Sequence, residues 1–424
     1  MINLNKIFVY FFALLMLLLI NVPTVHKEFK ILILFVLIII VIYKFFMNKL
    51  LIHKDIFTLA FISLVFSSLF ILNGILMSNP GAVPSMPVII VWPILYILLI
   101  ATNGYNNIFI TLEKVFLLSA YFIPLYGLYF LLGKANLIPS LLFINIFPEN
   151  VMGGVGLYEG SIEVSILNLA SVLFIAPYMF ANFLLKNNIK DKIVYGVALF
   201  LLLGIVFLSG RRALLLVVLF SLPLILLLTT FINNKNTKKI IFIRISMLVP
   251  YIFILLFILL TIVLSYYEIN LNKMYDGVLD GLNFSSSLDP STIARTEQFF
   301  ALMEGFSNSP ILGNGFGAVS SVIRNGDMPW AYELSYVALL FHTGLIGLTL
   351  YLLLIGWIII EGLKISNDTN AVRYIFPYIV GMISFLIGNM SNPYLMKFDY
   401  LWVIFIPVMY INYYKLRKKK GFEI

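Results

Sequence analysis

The sequence predicts an all-α, polytopic integral membrane protein, and three observations carry that prediction. Hydrophobic residues make up 62% of the chain and charged residues 11%, and the mean hydropathy is +1.03. Water cannot cover that much apolar surface on a soluble domain. The apolar runs are continuous, most close to the ~20 residues that ~30 Å of hydrocarbon requires, and do not alternate as barrel strands would. The cations, finally, cluster between the runs.

Twelve such runs follow in order: 7–22, 29–47, 56–77, 87–101, 108–132, 164–185, 193–208, 213–232, 240–266, 334–360, 374–388 and 400–414. They imply about 12 transmembrane helices forming a single transmembrane domain over 1–424. The first run lacks a small-residue cleavage site and is soon followed by a second, so it reads as a retained helix rather than a signal peptide. With the N-terminus placed in the cytoplasm, the inner segments carry about twice as many Lys and Arg as the outer ones. Both termini are therefore expected in the cytoplasm. The basic tail 415–420 then anchors topology beside anionic lipid, and the net charge of +9 needs no nucleic-acid partner. Cysteine is absent, which excludes disulfides and thiol chemistry.

This topology places two large loops outside. The first, 133–163, holds Pro139, Pro148, Gly153, Gly154 and Gly156, which predicts a folded-over loop. The second, 267–332, is studded with Ile, Leu, Phe and Trp, so it predicts an ordered, functional segment. Within it Asp289-Pro290 reads as an N-cap and first helical residue. The helix is expected to run to about Gly305, with Arg295, Phe299, Leu302 and Phe306 on one face and Arg295 aimed inward. A Gly-rich turn, Gly313-Asn314-Gly315-Phe316-Gly317, and the segment Trp330-Ala331-Tyr332-Glu333 then lead into the tenth span.

Charge inside the spans is scarce. His342 is one exception, and it reads with Asn168, Asn182 and Asn389 as hydrogen bonding to neighbouring helices. The outer rim differs. Leu208-Ser209-Gly210-Arg211-Arg212-Ala213 is a hairpin of almost no length, pinning two guanidinium groups near the outer surface. They either reach outer-leaflet phosphates or hold a lipid-linked phosphate or diphosphate, for which Arg offers a bidentate fork. Arg295 and Arg324 lie on the same side. Glu333, expected to open the tenth span, is either a partner for the helix dipole or a base. A base beside arginines suggests displacement of an anionic leaving group by a hydroxyl. Asp276 and Asp280 read as solvated surface, so neither a metal nor another cofactor is expected, and Arg takes over the electrostatic role.

Three stretches resemble a known family. Leu208-Ser209-Gly210-Arg211-Arg212-Ala213-Leu214 resembles the Ser-Arg hairpin of the O-antigen ligase and polymerase superfamily. The stretch 291–310 with the Gly-rich turn resembles its Arg-bearing outer loop, and Tyr332-Glu333-Leu334-Ser335-Tyr336 with Gly344-Leu345-Ile346-Gly347 resembles the start of its following helix. Together they cover roughly a third of the chain, in family order. The resemblance implies a membrane-embedded, GT-C-type inverting glycosyltransferase with large periplasmic loops, joining sugar chains carried on undecaprenyl diphosphate in a bacterial inner membrane. It also implies membrane lipids as surroundings, with a chain-length regulator and a flippase as partners. Carried over by position, Arg212 matches the hairpin arginine, Arg211 occupies the usual Ser position, and Arg295 matches the loop arginine. Glu333 stands where ligases of the family have His, which favours the polymerase branch. Glu333, Arg295 and Arg212 are thus the expected catalytic residues, with Arg211 and Arg324 assisting on the diphosphate and Trp330, Tyr332 and Tyr336 as sugar-stacking or lid residues. Two rivals stay open: a ligase using a lipid A-core acceptor, and a transporter or flippase of lipid-linked saccharide, as twelve helices would suit.

Overall fold

Long uninterrupted apolar sequence leaves the backbone few ways to satisfy its own amides, and this chain takes the helical one. The computed structural model describes residues 4–104, 108–147, 154–158, 161–235, 238–245, 290–324 and 326–421. Its principal helices are α1 Leu4–Asn21, α2 Lys27–Phe46, α3 Lys54–Leu76, α4 Ala82–Asn103, α5 Phe109–Lys134, α6 Leu169–Leu185, α7 Ile189–Leu208, α8 Arg212–Thr230, α9 Pro290–Asn308, α10 Ser335–Ile365, α11 Val372–Gly388 and α12 Trp402–Lys419. Between α5 and α6 lies an antiparallel hairpin, β1 Gly154–Tyr158 with β2 Ser161–Ser165.

Among the described residues nine helices are long and apolar enough to cross a membrane, consistent with a polytopic membrane protein. They coincide with nine of the twelve expected spans. Helix α6 is apolar but has 17 residues, α12 ends on Arg417, Lys418 and Lys419, and the expected span 240–266 lies mostly outside the described residues. Two boundaries differ from expectation. The fourth span starts earlier, at Ala82, because the chain passes through a π-helical stretch, Pro87–Val91, instead of starting at the proline. The sixth starts later, at Leu169, because 161–165 pairs as a strand, so among the described residues the fold is all-α apart from this hairpin.

The core runs through α6 and α11, where Phe116, Phe174, Tyr178, Tyr378 and Trp402 meet ring against ring. Pro124, Pro177, Pro223, Pro377 and Pro407 all sit inside helices. Neighbouring helices make this tolerable by re-satisfying freed backbone groups. Asn168 does bond across helices, Nδ2 donating to the Asn21 carbonyl at 3.1 Å. Asn182 instead donates to Tyr178 in its own helix, and Asn389 Oδ1 accepts the Leu395 amide of a loop.

Loops segregate to two ends. At one, His26 bonds Ile146, Asn79 bonds Asn314, and Lys30 pairs with Asp399 while donating to the Val22 carbonyl. At the other, Asn233 bonds Asn367, and Lys415 bridges Asp55 and Glu361 at 2.7 and 2.8 Å. The first end carries the Arg hairpin and the segments 309–324 and 326–334.

Candidate active site

Helix α9 packs on α10 through a stripe that rejects bulk. A Cβ on Gly305 would lie 2.3 Å from the Phe341 ring, and Gln298 and Leu302 are fully buried. Phe299 and Phe300 stay exposed. The expected face of Arg295, Phe299, Leu302 and Phe306 is therefore turned, because the side-chain-free Gly305 permits the closest approach. The helix also continues past Gly305 to Asn308. Its proposed cap, Asp289, lies outside the described residues.

The Gly-rich turn is a wedge. Gly313, Gly315 and Gly317 have φ of 70°, 78° and 76°, and a Cβ on Gly317 would sit 2.0 Å from the Gly81 backbone. Asn79 Nδ2 clamps the turn by donating to the carbonyls of Asn314 and Phe316. His342 Nδ1 lies 3.1 Å from the Gly315 carbonyl, so this histidine fastens the turn rather than a neighbouring helix.

Three residues spread along 295–333 meet beyond the turn. Glu333 Oε2 accepts from Arg295 Nε at 3.0 Å and pairs with Arg324 Nη1 at 2.8 Å. The side chains are 38%, 30% and 33% exposed for Arg295, Arg324 and Glu333, so the cluster is open to a ligand. At that exposure each pair contributes about 0–1 kcal/mol. Glu333 does not open the helix: α10 begins at Ser335 with Leu334 as its cap residue, so Glu333 lies just ahead of the first turn. What fixes it is Gln298, whose Oε1 accepts the backbone N–H groups of Glu333 and Leu334 at 3.0 and 3.4 Å. Gln298 Nε2 is buried and has no hydrogen-bond partner among the described residues.

The hairpin comes to the same region. Arg211 Nη2 donates to Ser165 Oγ at 2.7 Å, which places the guanidinium against the end of β2. The Tyr394 phenol lies close to it and within electrostatic reach of Arg295 as well. Burial pushes the Tyr394 phenol up and the guanidinium groups of Arg211 and Arg295 pull it down, with burial prevailing, so the phenol stays protonated. Arg212 starts α8, and its side chain lies outside what is described.

The three expected aromatic platforms are committed to packing. Tyr332 is 3% exposed, its hydroxyl accepting the Ser320 amide at 2.6 Å and donating to Ala318, and its ring meets Phe341 and His342. Burial accordingly raises its phenol pKa. Tyr336 donates to the Leu386 carbonyl at 2.7 Å, and the Trp330 ring lies over Gly81, where a Cβ would come within 2.2 Å. Tyr332 therefore presents no open ring face for stacking here, while Trp330 and Tyr336 are half-buried.

Sequence reasoning missed Gln298 and Tyr394. A polar residue one turn after Arg295 on a helix of mixed character was the available signal for the first; Tyr394 left none. Asp276 and Asp280 lie outside the described residues, and among those described no three His, Asp or Glu gather to hold a metal ion. No protein-family model matches the chain and no curated protein matches it.

Proposed function

We propose that this chain is a polysaccharide polymerase of the O-antigen type, lying in a bacterial inner membrane with both termini in the cytoplasm and the Arg-rich end facing the periplasm. Its substrates are undecaprenyl-diphosphate-linked oligosaccharides, one as donor and one as acceptor. The observation that carries the reading is the convergence of Arg295 and Arg324 on Glu333, with Arg211 joined to the same region through Tyr394. Two guanidinium groups on one carboxylate, with a third reaching the same region through Tyr394, make a site for an anion. Fixed cations at the point where charge develops are what departure of a diphosphate demands.

In the proposed step an acceptor sugar hydroxyl gives its proton to Glu333. Its oxygen forms the new C–O bond at the donor's anomeric carbon with inversion, and the bond to the diphosphate breaks with the electron pair leaving on that group. Arg295 and Arg324 hold the diphosphate, with Arg211 and Arg212 of the hairpin assisting. A chain-length regulator and a flippase are the proposed protein partners.

The test uses a deletion strain complemented with variants and a gel of its surface polysaccharide. Deletion leaves single repeat units on the surface, and Arg295→Ala and Glu333→Gln each fail to restore polymer while inserting normally. Normal polymer from either variant removes that residue from the mechanism. Long lipid-linked chains accumulating on deletion, with no surface polysaccharide, would point to the ligase instead.

A further inference from the structure

Both arginines bond the same oxygen of Glu333, at 3.0 and 2.8 Å. Each arginine thus has its anionic partner within the protein, and that partner is the expected base. The backbone of Glu333 is fixed by buried Gln298, so a change of partner has to come from rotation of the side chain. About a third of each side chain is exposed, so an anion from outside can reach the arginines without unpacking the helices.

We propose that Glu333 is the site's own counter-anion, and that the diphosphate of an incoming lipid-linked donor displaces it from Arg295 and Arg324, freeing the carboxylate to take the acceptor's proton. This rests on the reading above that the site binds a diphosphate. A diphosphate outcompetes the carboxylate because it carries more charge and more acceptor oxygens, and each guanidinium can then form a bidentate pair. Donor binding thus precedes activation of the acceptor. An empty site holds its base masked against stray hydroxyls, and no covalent step is required for the exchange.

The experiment measures binding of geranyl diphosphate to the full chain in detergent by calorimetry. Arg295→Ala and Arg324→Ala weaken binding. Glu333→Gln, which keeps the shape and removes the competing charge, tightens it about 3- to 30-fold. Unchanged or weaker binding by a folded Glu333→Gln protein overturns the displacement while leaving the diphosphate site standing. Failure of both wild type and Glu333→Gln to bind the probe overturns the site itself and the inference with it. A structure of the wild-type chain with geranyl diphosphate bound gives a second readout that needs no variant. Displacement requires Glu333 to lie beyond about 4 Å from both guanidinium groups; either pair intact beside the bound probe would refute it.

Discussion

Replacing Gln298 with Leu isolates a contact that positions Glu333 through its backbone. The substitution is close in volume and removes a residue with no exposed surface. It takes away Oε1, leaving the N–H groups of Glu333 and Leu334 without their acceptor. A buried N–H that loses its partner costs about 1–3 kcal/mol, and the 3.0 Å bond carries most of this because the 3.4 Å one is at the edge of useful geometry. Loss of Nε2 is an offsetting gain, since that atom has no partner among the described residues. The protein should therefore still fold. If the penalty appears as misplacement of the carboxylate, turnover falls about 5- to 150-fold. On the proposed reading Arg295 and Arg324 still hold the donor, and a misplaced carboxylate competes less for them, so the donor KM falls or stays level while kcat drops. The assay is chain extension by purified protein with lipid-linked repeat units, alongside thermal unfolding in detergent. Wild-type kcat in a variant lacking this acceptor would refute the claim that Gln298 places Glu333, and a loss of kcat matched by general unfolding would make Gln298 a packing residue.

Two further predictions concern the scaffold. Gly317→Ala forces a Cβ into the left-handed region at φ 76° and to 2.0 Å from the Gly81 backbone, which cannot swing aside as a side chain would; it should cost about 2–5 kcal/mol and be read as a lower unfolding temperature. Asp399→Asn leaves the Lys30 ammonium, 6% exposed, without its ion partner and should cost about 3–5 kcal/mol, whereas Lys30→Met combined with Asp399→Leu should recover most of the loss in the same measurement.

The helical character was legible because hydrocarbon-length runs leave the backbone so few solutions, and the ends of nine expected spans fall within a few residues of the observed helices. The meeting of Arg295 with Glu333, 38 residues along the chain, was legible as a common end of the bundle but not as a contact. Contact depends on α9 turning its Gly305 stripe toward Phe341, and an absent side chain makes no mark in a hydrophobic pattern. The start of α10 was misjudged for a related reason. A carboxylate ahead of an apolar run resembles a first-turn residue, yet the Glu333 and Leu334 amides are taken by Gln298 from another helix, and helical geometry begins only at Ser335. The hairpin at 154–165 escaped because its strand residues, including Val155, Leu157, Ile162 and Val164, adjoin an apolar run that looks like more helix.

The break in α10 bears on the transporter rival. At Gly344, φ 61° and ψ −165°, the helix opens well inside its apolar length. Discontinuous helices at such depth are where transporters hold ions and substrates, using the backbone groups that the break sets free. Here three such groups have partners in the loop. The amides of Leu345 and Ile346 donate to the carbonyls of Pro310 and Ile311, and the Phe341 carbonyl accepts from the Asn314 amide and from its side chain. The Gly-rich turn therefore plugs the break with its own backbone, and the close approach requires glycine on both sides: a Cβ on Gly344 would lie 2.3 Å from the Ile311 carbonyl and one on Gly313 would lie 2.5 Å from the Gly344 amide. The same interlock holds the loop of Arg324 and Glu333 against α10. The discontinuity is thus closed by the loop that leads on to Arg324 and Glu333.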